Sequence, residues 1–199
     1  MGKRIIHDES KPYIIAEIGV NHEGSMIQAK NLIDLAKEGG ADAVKFQTYK
    51  IDSYYSKRFT EKKRYKRLKK FQLSYDQFKK LSIYAKNKKI VFYSTPFDIE
   101  SAIFLNKIQK LFKISSGDNN FSSLIEVIKR FKKPIILSTG LINLGEIKHL
   151  TNQFSDRKNK KNFGLLHCVS KYPALNKDLN LKSISFLKKK FPYYEIGYS

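Results

Sequence analysis

In Gly40-Ala41-Asp42-Ala43-Val44-Lys45-Phe46-Gln47, the segment Ala43–Gln47 reads as a strand that is apolar on both faces and polar at its far end. Alanine, valine and phenylalanine make a near-continuous apolar run, broken only by Lys45. That is the pattern of a parallel strand covered on both sides by helices. Just upstream, Ile27–Glu38 sets Leu32, Ile33, Leu35 and Ala36 at the spacing of a helical stripe. Outward from here the same unit recurs. Further strands are predicted at Tyr13–Ile18, Ile90–Ser94, Leu111–Ile114, Pro134–Leu137, Phe163–Val169 and Tyr194–Tyr198. Amphipathic helices are predicted at Tyr75–Lys86, Ile99–Ile108, Leu124–Phe131, Leu144–Phe154 and Leu179–Lys189. Strand then helix, repeated, requires parallel strands joined by crossover helices.

Two architectures satisfy that pattern, a doubly wound sheet and a (β/α)8 TIM barrel. Nearly every predicted strand closes on polar groups: Glu17, Lys45 and Gln47, Ser94 and Thr95, Ser115 and Ser116, Ser138 and Thr139, His167, and Ser199. A barrel gathers all such ends around one mouth, whereas an open sheet uses only those at a switch point. No Gly-rich phosphate loop of the dinucleotide or P-loop kind is present, which further favours the barrel. A closed barrel has eight strands and typically about 250 residues. Seven strands are readable here and the seventh runs into Ser199, so the expectation is an incomplete barrel over residues 1–199, cut off before closure.

Composition bounds the function classes. The 199 residues hold 39 Lys+Arg against 18 Asp+Glu, a net charge of +21, yet 41% hydrophobic and 13% aromatic residues exclude a disordered polybasic chain. One cysteine, Cys168, excludes an intrachain disulfide. The uncharged stretch from Pro134 to Gly145 falls far short of the roughly 20 residues that span a bilayer. The first residues hold no apolar signal core, so a cytoplasmic protein is expected. The densest basic run, Lys62–Lys70, attracts any anion; with no base-reading motif beside it, a nucleic-acid role is the minor alternative, in which a non-catalytic protein binds RNA or an acidic surface through that run.

Lys45 and Lys113 stand inside apolar strands, where an unpaired ammonium is costly. Two readings stand side by side. One is a structural pair with Glu17, itself in the apolar Ile14-Ile15-Ala16-Glu17-Ile18. The other is a site for a small anion with phosphate and carboxylate groups, because two lysines against one glutamate leave a surplus positive charge. Ser116, Ser138 and Thr95 would then supply hydroxyl donors.

The stretch Ile15-Ala16-Glu17-Ile18-Gly19-Val20-Asn21-His22-Glu23-Gly24-Ser25 resembles the opening motif of the sialic acid synthase family, whose members make sialic, legionaminic or pseudaminic acids. The likeness continues in order through Gly40–Gln47, Ser94–Asp98, Lys113–Asp118, Lys133–Gly140, Leu165–Pro173 and Ile196–Ser199. The resemblance implies condensation of phosphoenolpyruvate with an N-acylated hexosamine to a nine-carbon 2-keto acid, with release of phosphate. It implies Glu17 as the catalytic carboxylate and Lys45, Thr95, Lys113, Ser116, Ser138 and Ser199 as the phosphoenolpyruvate contacts. Asp118 and Tyr172 would contact the hexosamine. A divalent metal, Mn2+ or Mg2+, would polarise the aldehyde, and the full-length enzyme would be a homodimer.

Two departures from the family pattern are visible. Asp118 stands where the family usually has Glu, one methylene longer. The family continues past Gly-x-Ser into Asp-His, its first metal ligand, then to an eighth strand and a C-terminal antifreeze-like domain. None of these falls within the 199 residues, so a catalytically dead fragment is the expectation for this stretch alone. His7, His22, His149 and His167 show no metal-ligand spacing. His22 reads as a structural loop residue and Cys168 as a buried strand residue. Ile51–Leu73 shows no clear secondary-structure pattern and reads as a long connection or a lid.

Overall fold

Strands and helices alternate as the pattern requires. The computed structural model describes residues 10–56, 58, 61–154 and 162–199. These divide into two compact units, Ser10–Lys110 and Leu111–Ser199.

In the first unit β1 (Ile15–Gly19), β2 (Ala43–Thr48) and β3 (Val91–Pro96) form a parallel sheet in the order β1-β2-β3. Five of the six residues of β2 are buried, the two-faced burial its composition demands. α1 (Met26–Glu38) and α4 (Tyr75–Asn87) bury Ala29, Ile33, Phe78 and Leu81 against Val44, Phe46 and Phe92 of the strands. Both helices begin at serines. Ser25 Oγ accepts from Gln28 N, and Ser74 with Gln77 forms a reciprocal capping box. α5 (Ile99–Leu105) begins at Asp98 and ends three residues earlier than its apolar pattern predicts. The chain then turns so that buried Gln109 can bond both the N–H and the carbonyl of Ser94, fixing the end of β3.

The stretch Ile51–Leu73 is not an irregular lid. It holds α2 (Ile51–Tyr54) and α3 (Lys62–Phe71); residues 57, 59 and 60 between them lie outside the described residues. The helical signal is faint because α3 shows only Tyr65, Leu68 and its last residue Phe71 as a one-residue-wide apolar stripe among its cations. Tyr65 and Leu68 of that stripe pack on Tyr49, Ile51 and Phe97. Tyr49 Oη donates to the Leu68 carbonyl at 2.9 Å, and Ile51 N donates to Gln72 Oε1 at 2.8 Å. Gly24 completes the anchorage. At φ 83°, a Cβ there would overlap the Lys70 carbonyl, so only glycine lets the loop after β1 lie against the end of α3.

In the second unit β4 (Phe112–Ile114), β5 (Ile135–Ser138), β6 (Phe163–His167) and β7 (Glu195–Tyr198) form a parallel sheet in that order. α6 (Ser122–Arg130) buries Leu124, Ile125 and Ile128, and α7 (Leu144–Asn152) starts on a capping box between Asn143 and Glu146. α8 (Lys182–Lys190) leads into β7. Among the described residues no helix is long and apolar enough to cross a membrane.

Candidate active site

In the first unit the register of the sheet places Glu17 beside Lys45 and Lys45 beside Tyr93. Partners in a parallel ladder project to the same face, so the three form a row across β1, β2 and β3. Lys45 is 4% exposed, and its Nζ lies 2.6 Å from Glu17 Oε2 while Glu17 stays open to solvent. The pair expected on structural grounds is therefore formed. Burial pushes the Lys45 ammonium below its ordinary pKa, and the Glu17 charge opposes that shift. Lys45 Nζ also donates to Thr95 Oγ1 at 3.3 Å, two residues beyond its register partner Tyr93.

The second unit repeats the step. Lys113 on β4 pairs in register with Ile136 on β5, and its Nζ donates to Ser138 Oγ at 2.7 Å, again two residues further on. In both units a buried ammonium reaches towards the C-terminal end of the neighbouring strand and bonds a hydroxyl oxygen. A hydroxyl whose oxygen accepts from an ammonium keeps its own proton free to donate. Asp118, 7% exposed, lies close enough to Lys113 to feel its charge, but burial wins and holds the carboxyl above its ordinary pKa. Its Oδ2 has no hydrogen-bond partner among the described residues.

The ends of β4, β5 and β6 meet around Gly140. A Cβ at this position would overlap Ser170 Oγ and lie 2.7 Å from Cys168 Sγ and 2.8 Å from Ser116 Oγ. Glycine thus lets two hydroxyls and a thiol pack directly on its Cα, with no room for a side chain. Cys168 is half-buried and lies just past β6, which corrects the expectation of a buried strand residue. Just beyond the end of the strand the Cys168 sulfur accepts from Gly140 N at 3.1 Å and lies 2.8 Å from Ser116 Oγ.

Other expected site residues stand apart from these contacts. Tyr172 is 96% exposed in the loop after β6. Ser199 is exposed at the end of β7, where its N–H donates to the His167 carbonyl at 2.9 Å. Sequence reasoning overlooked Cys168 as a partner of Ser116 and Ser170 as a neighbour of Gly140. The available signal was their place in the polar end of the sixth strand.

His22 is a loop pin. It is 1% exposed, its ring lies 5.9 Å from that of Phe46, and its Nδ1 accepts from Gly24 N at 3.1 Å. Burial lowers its pKa from 6.5 to about 4. Below pH 6.5 the unfolded chain therefore takes up a proton that the folded chain refuses until near pH 4. The associated stability is complete above pH 6.5 and is lost as the pH falls through this window, by roughly 3 kcal/mol in all. Urea unfolding of the wild type and His22→Asn, which retains an acceptor for Gly24 N, should show a steeper acid loss in the wild type. Equal slopes would contradict the assignment.

The NeuB family model matches residues 32–199. The chain is 39% identical over 202 residues to an N,N'-diacetyllegionaminic acid synthase of Campylobacter jejuni, a match covering 95% of this chain and 60% of that protein. It is 33% identical over 198 residues to the N-acetylneuraminate-9-phosphate synthase of Homo sapiens, covering 94% and 55%. The crystal structure of an N-acetylneuraminic acid (sialic acid) synthetase from Leptospira borgpetersenii, in complex with citrate, superposes with a TM-score of 0.85 at 36% identity. That match covers 95% of this chain and 65% of the other. The chain spans under two thirds of the length of these relatives. A family match over most of the chain, on an α/β fold of parallel sheets that carries the expected strand-end lysines and hydroxyls, places this protein in the NeuB family of sialic acid synthase-like proteins.

Proposed function

We propose that the strand ends of this chain bind phosphoenolpyruvate, and that the whole protein condenses it with an N-acylated hexosamine to a nine-carbon 2-keto acid. The seven strands are read as those of a (β/α)8 barrel, on the support of their unbroken alternation with helices and the parallel pairing within each sheet. In the reaction C3 of the enol attacks the sugar aldehyde, water adds at C2, and the tetrahedral adduct expels phosphate. Lys45, Thr95, Lys113, Ser116, Ser138 and Ser199 take the roles of anion contacts. Glu17 stands by the reacting carbons, and Asp118 and Tyr172 contact the sugar.

The observation that carries this reading is the twice-used step from a buried lysine to a strand-end hydroxyl, Lys45 to Thr95 and Lys113 to Ser138. Each sets a buried ammonium against a strand-end hydroxyl that keeps a proton to donate, the combination that holds a phosphate or carboxylate oxygen. The family is metal-dependent in general. Among the described residues no group of three or more His, Cys, Asp or Glu side chains could hold a metal ion. The residues present do not fit a metal site, and no role assigned to them runs through one. Calorimetric titration of the chain with phosphoenolpyruvate tests the reading: saturable 1:1 binding is expected, and its absence would overturn the proposal.

The rival reading, polyanion binding through Lys62–Lys70, has the helix but not the bases' stacking platform. Tyr65 is turned in towards Tyr49 and Phe97, and its hydroxyl donates to Asp52. RNA binding by this helix is expected to disappear by about 0.15 M salt, as simple charge attraction does. Retention at that salt, with loss on replacing the run by Gln, would favour the rival.

A further inference from the structure

Tyr93 is the side chain of the Glu17–Lys45–Tyr93 row to which the proposed reaction gives no task. It is 0% exposed on β3, in register with Lys45 and on the same face of the sheet. Its Oη has no hydrogen-bond partner among the described residues. A buried hydroxyl is as a rule bonded, to protein or to ordered water, because an unbonded one costs its full desolvation. The Glu17 charge also reaches it: burial first, then Glu17 and Tyr13, hold the phenol well above its ordinary pKa. The group therefore stays a neutral O–H with a proton to give.

The other end of the row is short of a partner of the opposite kind. Among the described residues Glu17 is held by Lys45 alone, at 2.6 Å through Oε2. A carboxylate has about four lone-pair sites, so most of its accepting capacity is unused. Lys45 is also an anion contact in the proposed site, and an ammonium that turns towards a ligand loosens its hold on Glu17. Neighbouring strands run about 4.8 Å apart, which sets the Glu17 and Tyr93 backbones about 10 Å apart with Lys45 between them. The hydroxyl makes no direct bond across that gap. Two hydrogen bonds in series through one water span about 5.5 Å of it, and the two side chains supply the rest.

We propose that Tyr93 is a positioning residue for Glu17: its O–H donates to one buried water, that water donates to the Glu17 carboxylate, and the carboxylate keeps its place when Lys45 engages an anion. This rests on the reading of Glu17 and Lys45 as parts of a phosphoenolpyruvate site. Tyr93 touches neither the ligand nor the reacting carbons and acts through Glu17.

The test is NMR of the chain labelled with 13C at tyrosine and glutamate, with and without saturating phosphoenolpyruvate, for the wild type and Tyr93→Phe. In the wild type, one long-lived water is expected to show nuclear Overhauser contacts to both the Tyr93 ring and the Glu17 side chain. This measurement needs no variant. The Glu17 scalar couplings should report a single χ1 rotamer that persists with phosphoenolpyruvate bound. Tyr93→Phe removes one oxygen and keeps the ring, so the packing of β3 is preserved. It should lose the water contact at Glu17 and average Glu17 over its rotamers once phosphoenolpyruvate is bound, a change that a merely structural tyrosine would not produce. Its affinity for phosphoenolpyruvate, from calorimetry, should stay within about threefold of wild type, because the hydroxyl does not contact the anion. No water common to the two side chains in the wild type, or an unchanged Glu17 in Tyr93→Phe, overturns the inference and leaves the site reading standing while the wild type binds phosphoenolpyruvate. An affinity loss beyond about tenfold in Tyr93→Phe also overturns it, since the hydroxyl would then serve the ligand itself. Absence of binding by the wild type overturns the site reading and the inference with it.

Discussion

Lys113→Met is expected to weaken phosphoenolpyruvate binding about 100-fold or more while leaving the fold in place. The side chain is 8% exposed within β4, and its Nζ bonds Ser138 Oγ at 2.7 Å. Removing one partner of a buried charge pair costs about 3–5 kcal/mol, and each 1.4 kcal/mol is tenfold in affinity. Methionine keeps most of the aliphatic volume, so the strand retains its packing. Asp118 then loses the neighbouring charge that opposes its raised pKa, and its protonated form is favoured further. Titration with phosphoenolpyruvate, with thermal unfolding as a control, measures both effects. An affinity within threefold of wild type would remove Lys113 from the site.

Asp98→Ala is expected to cost roughly 3–5 kcal/mol of stability, the largest loss for a residue outside the proposed anion contacts. Its carboxylate is 4% exposed and accepts three hydrogen bonds, from Lys50 N at 2.7 Å, Ser101 N at 2.7 Å and Ser101 Oγ at 2.8 Å. It thereby ties the exit of β2 to the first turn of α5. Alanine would strand two backbone N–H groups and a hydroxyl in the interior, each without water to replace the lost acceptor. Asn keeps one oxygen acceptor and should lose about half as much. Urea unfolding midpoints decide the matter; a loss under about 1 kcal/mol for the alanine variant would mean the site relaxes or admits water.

The strands were legible because burial on both faces writes itself as an uninterrupted apolar run. Ile135–Leu137 is such a run, and Ala43–Phe46 departs from it only at Lys45. Helix α3 was not legible, because its two inward residues, Tyr65 and Leu68, are outnumbered by cations that carry no helical period. The candidate site was legible as a set of residue types but not as an arrangement. Nothing in the linear spacing of Lys45 and Thr95, or of Lys113 and Ser138, shows that each lysine reaches two residues past its ladder partner; that follows from strand register. The surplus charge inferred from two lysines and one glutamate is also smaller than composition suggests, since Asp118 senses Lys113 from a loop rather than from a strand. Cys168 escaped notice for a related reason. Its partners, Ser116 and Gly140, come from two other strand ends.

The central claim is that a small anion goes to the strand ends and not to the basic face of α3. Amide chemical-shift mapping of the labelled chain during a phosphoenolpyruvate titration tests this directly, at physiological salt. The account predicts saturable shifts at Lys113–Asp118, Ser138–Gly140 and Cys168–Ser170, with Lys62–Lys70 unmoved. Shifts confined to Lys62–Lys70, or none at the strand ends at saturating ligand, would contradict it.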